Sequence, residues 1–349
     1  MQYLKKKIFK FYRSKIIDWK TEGKITPNKK KINLFEEKKI KFFGKQNPKK
    51  IFYIIRVEPG GGFFSILFSV LINLELCSKK KYIPFIDLEN FHTKYNQKNM
   101  IDNTFNSWEY YFHKISNYNL NNIYKSKNVY FSKKKIDTRK HIKKNEFGKY
   151  KKIIGRYIKV KDSINKVVKK FEKQNFNNKK VIGLHFRGTD MKTTPSHPFP
   201  PTYSQISYLI DHLLSKKKYD SIFIITEQAS YLEKLKKKYG KKLLYFNSFR
   251  SNKSKIFDKK SRRNHRYLLG RDILIETLLL SKTDIIISSK TNVSKMALLL
   301  SRKKKKTIHI DNGNNTSRFL LSQILWFLKR IMPEALGGFK KNIKYSLYN

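Results

Sequence analysis

The sequence predicts an α/β chain built from two doubly wound parallel sheets that face a cleft. Two observations carry this expectation. Short β-rich runs alternate with helical patterns of 10 to 14 residues, and glycine or polar clusters stand at the strand ends. The 349 residues leave room for two cores, since domains of about 150 residues are typical.

In the first half, Ile51–Val57 reads as a strand and Pro59-Gly60-Gly61-Gly62 as a turn. Phe63–Cys77 carries apolar residues at helical spacing, and Ile83–Leu88 is the next strand. Residues 89–150 show no clear period. Val160–Phe176 is read as the segment that joins the halves. The second half alternates more cleanly, with strands at Val181–Phe186, Ser221–Thr226, Leu243–Phe246, Asp284–Ser289 and Lys306–Asp311. Helices fall at Tyr203–Leu214, Ala229–Tyr239, Leu268–Ser281 and Asn292–Leu300. Ser317–Met332 is apolar on nearly every face, which predicts burial or docking across a domain or membrane surface. The expected division is a basic extension at 1–50, an acceptor-side domain at 51–160, a nucleotide-binding domain at 161–315 and a docking helix and tail at 316–349.

Composition narrows the classes of function. Lys and Arg total 79 against 25 Asp and Glu, a formal charge of +54, yet the hydrophobic content of 39% excludes a disordered polycation. Only 13 of the basic residues are arginine and only three residues are alanine, a pattern of AT-rich codons. A dedicated nucleic-acid reader favours arginine for its bidentate fork, so no nucleic-acid partner is expected. A non-enzymatic nucleic-acid-binding protein remains the competing class that the charge alone suggests. The one cysteine, Cys77, excludes an internal disulfide and reads as a small buried thiol. The N-terminal stretch lacks the unbroken apolar core of a signal peptide, which suggests a cytoplasmic protein. Its stripe of Leu4, Ile8, Tyr12, Ile16 and Trp19 among lysines suits either the protein body or peripheral contact with an anionic membrane at the inner face.

Ligands of doubly wound sheets bind beyond the carboxyl ends of the strands, so the residues there are the candidates for chemistry. Val181–His185 reads as a buried strand of five residues, and it ends in His185-Phe186-Arg187-Gly188-Thr189-Asp190. Arg187 can hold a phosphate through two parallel hydrogen bonds, and Asp190 can orient it; a structural Arg–Asp pair is the alternative. Thr226-Glu227-Gln228 is either part of a site or a solvated strand end. Thr291, Asn292, Val293 and Ser294 open a helix whose amides favour anions, or they are simply its cap. Asp272 and Glu276 lie one turn apart on a helix. A carboxylate there can accept the N1 and N2 protons of guanine, or it is an exposed helix charge. These features suit a diphosphate-bearing ligand.

The motifs resemble those of the GDP-fucose-dependent fucosyltransferases, the superfamily of α1,6-fucosyltransferases, nodulation fucosyltransferases and protein O-fucosyltransferases, and more closely a bacterial glycosyltransferase branch of that type. His185 to Asp190 is similar to the family's His-x-Arg-Arg-Thr-Asp, and Thr226-Glu227-Gln228 to its Thr-Asp-Asp. Ser281 to Ser294 resembles a third motif, which the family precedes by a guanine-recognising acid, here Glu276. The resemblance implies a GT-B-like fold of two Rossmann-like domains, with Arg187 on the β-phosphate and His185 on the nucleotide. It also implies phosphate contacts at Thr291 and Asn292, and a glycine turn, Gly61-Gly62-Phe63, lining the cleft. The implied reaction is inverting transfer of fucose from GDP-fucose to a glycan or lipid-linked glycan hydroxyl, with no metal or other cofactor. The second family arginine is Gly188 here, which leaves GDP-mannose or a UDP-sugar open as donor. His197, in the loop after the motif, is the candidate base. Trp108 and Glu109 are candidates for stacking on or binding the acceptor; the alternative for this aromatic cluster is the core.

Overall fold

A computed structural model describes residues 42–57, 60–132, 144–252, 256–257, 262–289 and 291–340. The N-terminal stripe from Leu4 to Trp19 lies outside the described residues. The chain divides into two compact units, one of residues 1–161 with 262–270 and one of 162–261 with 271–349.

The first unit is built on a three-stranded parallel sheet of order β2-β1-β3, formed by β1 (Gln46–Ile55), β2 (Ile83–Ile86) and β3 (Ser126–Phe131). The eighteen residues Phe63–Lys80 form α1, which buries Leu67, Leu71 and Leu74 at helical spacing. It ends at Lys81, whose left-handed backbone lets its N–H bond Cys77 O. Cys77 is fully buried, and burial pushes its thiol up to about 12, so it is an unreactive packing residue. Phe52 and Ile54 of β1 pack with Val129 and Phe131 on one face of the sheet. At the carboxyl ends, Arg56 donates to Asp87 Oδ2 from Nε at 2.9 Å and from Nη2 at 2.7 Å. Ser132 bonds both the N–H and the carbonyl of Arg56, so the three strand ends are fastened together.

The stretch between β2 and β3 has little regular structure for a physical reason. Asn96 Nδ2 donates to Leu88 O and Asn106 Nδ2 to Ile86 O, so side chains satisfy carbonyls that a ladder or helix would otherwise serve. Only α2 (Leu120–Tyr124) interrupts it, and α3 (Phe147–Tyr157) follows β3.

The second unit opens with α4 (Asp162–Asn175), so the segment read as a connector is a helix of this unit. Five parallel strands follow in the order β6-β5-β4-β7-β8: β4 (Val181–His185), β5 (Ser221–Ile225), β6 (Leu243–Tyr245), β7 (Ile285–Ser288) and β8 (Lys306–His309). Helices α5 (Tyr203–Ser215), α6 (Ala229–Tyr239), α7 (His265–Leu280) and α8 (Asn292–Leu300) connect them. The first residues of α7, up to Gly270, group with the first unit and the remainder with the second. From β4 the chain runs outward through β5 and β6, then returns to β7 on the other side of β4. The strand order therefore reverses between β4 and β7. The core is continuous from Ile182 and Leu184 through Ile222, Ile224, Ile285 and Ile287.

The C-terminal helix α9 (Phe319–Ile331) is not buried as a whole, which leaves docking as the other expectation for this segment. Ser322 and Trp326 face inward, while Leu320 is 82% exposed and Ile331 71% exposed. Its apolar residues outnumber what one contact stripe can cover.

Candidate functional site

The strand register sets the site. His185 stands level with Ile225 on one side and with Ser288 on the other, so the segments after β4, β5 and β7 leave the sheet at one edge. That edge includes the β4–β7 reversal, where open parallel sheets leave a crevice for ligands.

At the reversal, His185 Nδ1 and Thr291 Oγ1 are hydrogen-bonded at 3.0 Å. The imidazole is buried, and burial, with Arg187 nearby, lowers its pKa to about 3. It is a neutral ring at any physiological pH. Thr291 caps α8 reciprocally with Ser294: Ser294 N–H donates to Thr291 Oγ1 at 3.2 Å, and Thr291 N–H to Ser294 Oγ at 3.3 Å. Both hydroxyls are thus engaged within the cap, and Ser294 is buried. Asn292 and Val293 are half-buried and occupy the first turn, where backbone amides have no intrahelical partner. Beside them, Ser288 Oγ is buried with no hydrogen-bond partner among the described residues.

Arg187 is about one-third exposed and carries two acids. Its Nη2 donates to both oxygens of Asp190, at 3.1 and 3.2 Å, and its Nε lies 3.6 Å from Glu227 Oε1. The same Glu227 oxygen accepts from Gly188 N at 3.3 Å and from Thr189 Oγ1 at 3.1 Å. The β4 and β5 strand ends are therefore joined around the guanidinium, which points its charge at the edge of the sheet. Gly188 is dictated by packing: a Cβ there would lie 2.3 Å from Gln228 Oε1 and 2.5 Å from the Tyr231 ring. Tyr231 in turn stacks on Phe186 with ring centroids 4.0 Å apart. Lys192 sits 4.8 Å over the Tyr231 ring and 4.7 Å over the Trp326 ring, and burial lowers its ammonium to about 8.

Glu276 is buried on α7 and is no exposed helix charge. Its Oε1 accepts from Ser248 Oγ at 2.7 Å and from Arg250 Nη2 at 3.1 Å. Burial raises the carboxyl to about 8 even though Arg250 and Ser248 act in the other direction. Arg250 also holds its own loop, donating to Ser248 O and Phe246 O, and Ser251 N–H donates to Glu227 O at 2.9 Å. One loop after β6 thereby connects Glu276 to the Glu227 cluster. Asp272, one turn before Glu276, is buried beside Arg271 Nη2 at 3.1 Å.

Other expected residues lie elsewhere. His197 is exposed in a loop fixed by backbone bonds, with Asn315 N–H donating to His197 O and Ser196 N–H to Thr316 O. Phe63 is buried among Phe64, Tyr95 and Tyr111 in the first unit's aromatic core. Gly60 has a φ of +103°, the left-handed backbone that favours glycine, whereas Gly61 and Gly62 are not crowded. Trp108 is buried against Phe112 at 4.4 Å, with Nε1 donating to His113 O, so its ring is core and not a stacking platform. Glu109 instead lines an open cavity of about 480 Å³ in the first unit, together with Asp102, His113 and Lys161. Sequence reading missed Arg250, Ser248, Lys192 and Tyr231. The first two follow β6 by a few residues, so carrying the strand-end rule past Phe246 would have found them.

No protein-family model matches the sequence, and no curated protein matches it significantly. Among solved structures, the chain is similar to NodZ α-1,6-fucosyltransferase co-crystallised with GDP, with a TM-score of 0.50 at 14% identity. That match covers 75% of this chain and 96% of the other. The selenomethionine form of fucosyltransferase NodZ from Bradyrhizobium matches equally, with a TM-score of 0.50 and 14% identity over 75% and 95% of the two chains. At this identity the likeness defines the fold, which is GT-B-like α/β.

Proposed function

We propose that this chain is a glycosyltransferase that moves fucose from GDP-fucose to a glycan hydroxyl, with inversion and without a metal ion. The observation that supports the reading is the placement of His185 and Arg187 at the strand-order reversal, with Glu276 bonded to the loop after β6, which also reaches Glu227 beside Arg187. In this reading Glu276, as a carboxylate, accepts the N1–H and N2–H of guanine; adenine offers no such pair of donors. Arg187 takes the β-phosphate and shares its charge between the phosphate and Asp190. His185, neutral and with Nδ1 satisfied by the Thr291 hydroxyl, offers Nε2–H to the nucleotide. The first-turn amides of α8 at Asn292 and Val293 add donors for a diphosphate oxygen.

As the bond between the sugar's anomeric carbon and the β-phosphate oxygen breaks, negative charge grows on the departing GDP. Arg187 and the helix amides stabilise it in place and need no reorganisation. The acceptor oxygen forms the new bond from the opposite face and loses its proton to a base, for which His197 is the candidate. Glu109, on the open cavity of the first unit, is the candidate acceptor contact. The protein would act in the cytoplasm.

One observation favours a second donor. Gln228 and Tyr231 fill the space a side chain at position 188 would need, so the family's second arginine has no counterpart there. GDP-mannose is the nearest alternative, because it keeps every nucleotide contact above. Thermal shift with GDP, UDP and ADP tests the nucleotide, since a ligand that binds only the folded state raises its apparent stability. The proposal expects a shift with GDP alone. Donor hydrolysis then separates fucose from mannose without knowledge of the acceptor.

A further inference from the structure

Helix α9 packs Trp326 and Leu325 against Phe199 and Phe339, yet most of its apolar residues face outward. The residue packed fully inward is the polar Ser322, joined by Trp326, while the outward side carries Leu320, Ile324, Phe327 and Ile331 at spacings of four, three and four residues. Leu321 and Leu328 widen that stripe by one row, and all six are exposed. Single exposed leucines need no explanation, but a contiguous apolar face of this kind marks an interaction surface.

We propose that this face seats the protein on an anionic lipid bilayer. The helix has 13 residues and none of the described helices is long and apolar enough to cross a membrane, so α9 would lie in the plane of the interface. Charge chooses this occupant. Arg318 precedes the helix and Arg330 lies in its last turn with its guanidinium over the inward Trp326 ring; both are exposed, on a chain of net charge +54. An exposed apolar face on a strongly cationic chain fits acyl chains beneath anionic headgroups. A second copy would bring the same arginines and the same net charge against themselves.

The seat is also wired to the strand-end loop. Ser322 Oγ and Gln323 Nε2 both donate to Thr193 O, at 3.1 and 3.0 Å, and Trp326 Nε1 donates to Pro200 O at 3.0 Å. Asn315 Nδ2 bridges Ser322 O and Lys192 O. The loop after Arg187 thus rests on the inner face of the helix whose outer face meets lipid. The proposal stands independently of the donor reading.

The test is flotation of the full chain with vesicles of phosphatidylglycerol and phosphatidylcholine, and with phosphatidylcholine alone, at low and at high salt. High salt screens the contribution of scattered lysines, whose Debye length shrinks to about 3 Å at 1 M, and leaves the apolar seat. Wild type is expected to float with the anionic vesicles and to retain a salt-resistant fraction. Combined Leu320→Ser, Ile324→Ser and Ile331→Ser should cut that fraction tenfold or more, with an unchanged circular dichroism spectrum. Should the triple variant not fold, Leu320→Ser alone, at the most exposed position, should lower it severalfold. A salt-resistant fraction equal in wild type and variant overturns the proposal. So does light scattering that finds a wild-type dimer and a variant monomer with no difference on vesicles.

Discussion

Arg250 Nη2 donates to Glu276 Oε1 at 3.1 Å, with each side chain only 5–6% exposed. Because Ser248 bonds the same oxygen, the second oxygen of the carboxylate is the one available to a ligand. The pair holds an acid at the sheet edge in a fixed orientation, the requirement for reading a base.

The pH dependence follows from that burial. Glu276 titrates near 8 in the folded chain, above the ordinary carboxylate value, so between the two the folded state holds a proton that the unfolded state does not. Its stabilising contribution is full at low pH and is lost as pH rises through about 8. GDP binding should show the opposite trend, because only the carboxylate accepts from guanine. GDP affinity measured by calorimetry should therefore rise across that range. Glu276→Gln should flatten the profile and weaken binding about 10-fold to 100-fold, the range of one charged hydrogen bond.

Arg187→Ala should fold normally, since the side chain is partly exposed and its acidic partners Asp190 and Glu227 are not core residues. Donor turnover should fall on the order of 10²- to 10³-fold, the usual cost of one electrostatic donor to a developing charge. A melting temperature within a few degrees of wild type, alongside lost hydrolysis, is the expected result.

His185 should not titrate in the physiological range. Burial depresses its pKa to about 3, so its ring proton resonances should stay constant between about pH 5 and 8. Thr291→Val removes the partner of Nδ1 and should destabilise the fold by roughly 1 kcal/mol or more, because it also breaks the α8 cap.

Gly188→Arg should not recover the family's second arginine. A Cβ at that position meets Gln228 and the Tyr231 ring, which is itself stacked on Phe186, so the substitution should cost about 1–3 kcal/mol in overpacking. Denaturant unfolding measures this directly, and Gly188→Ala should already show much of the loss.

The second unit was readable because its buried strands are short apolar runs, such as Ile285–Ile287, closed by polar residues at the ends. The strand ends then carried Arg187, Glu227 and Thr291 to one edge by register alone. The first unit was less readable where Asn96 and Asn106 replace ladder bonds with side-chain bonds, which leaves no period in the sequence. For Trp108 the sequence left core packing and sugar stacking open, because aromatic clusters look alike whether they are packed or presented to a ligand; the ring is buried. Position along the sequence also could not say which face of α9 turns outward, since Trp326 and Phe327 are neighbours with opposite surroundings.

Hydrolysis of nucleotide sugars by wild type and by Arg187→Ala, across GDP-fucose, GDP-mannose and UDP-sugars, tests the central claim most directly. Wild type should release GDP from GDP-fucose, and the variant should lose that release. Preferential turnover of a UDP-sugar, or GDP release undiminished by Arg187→Ala, would contradict the claim.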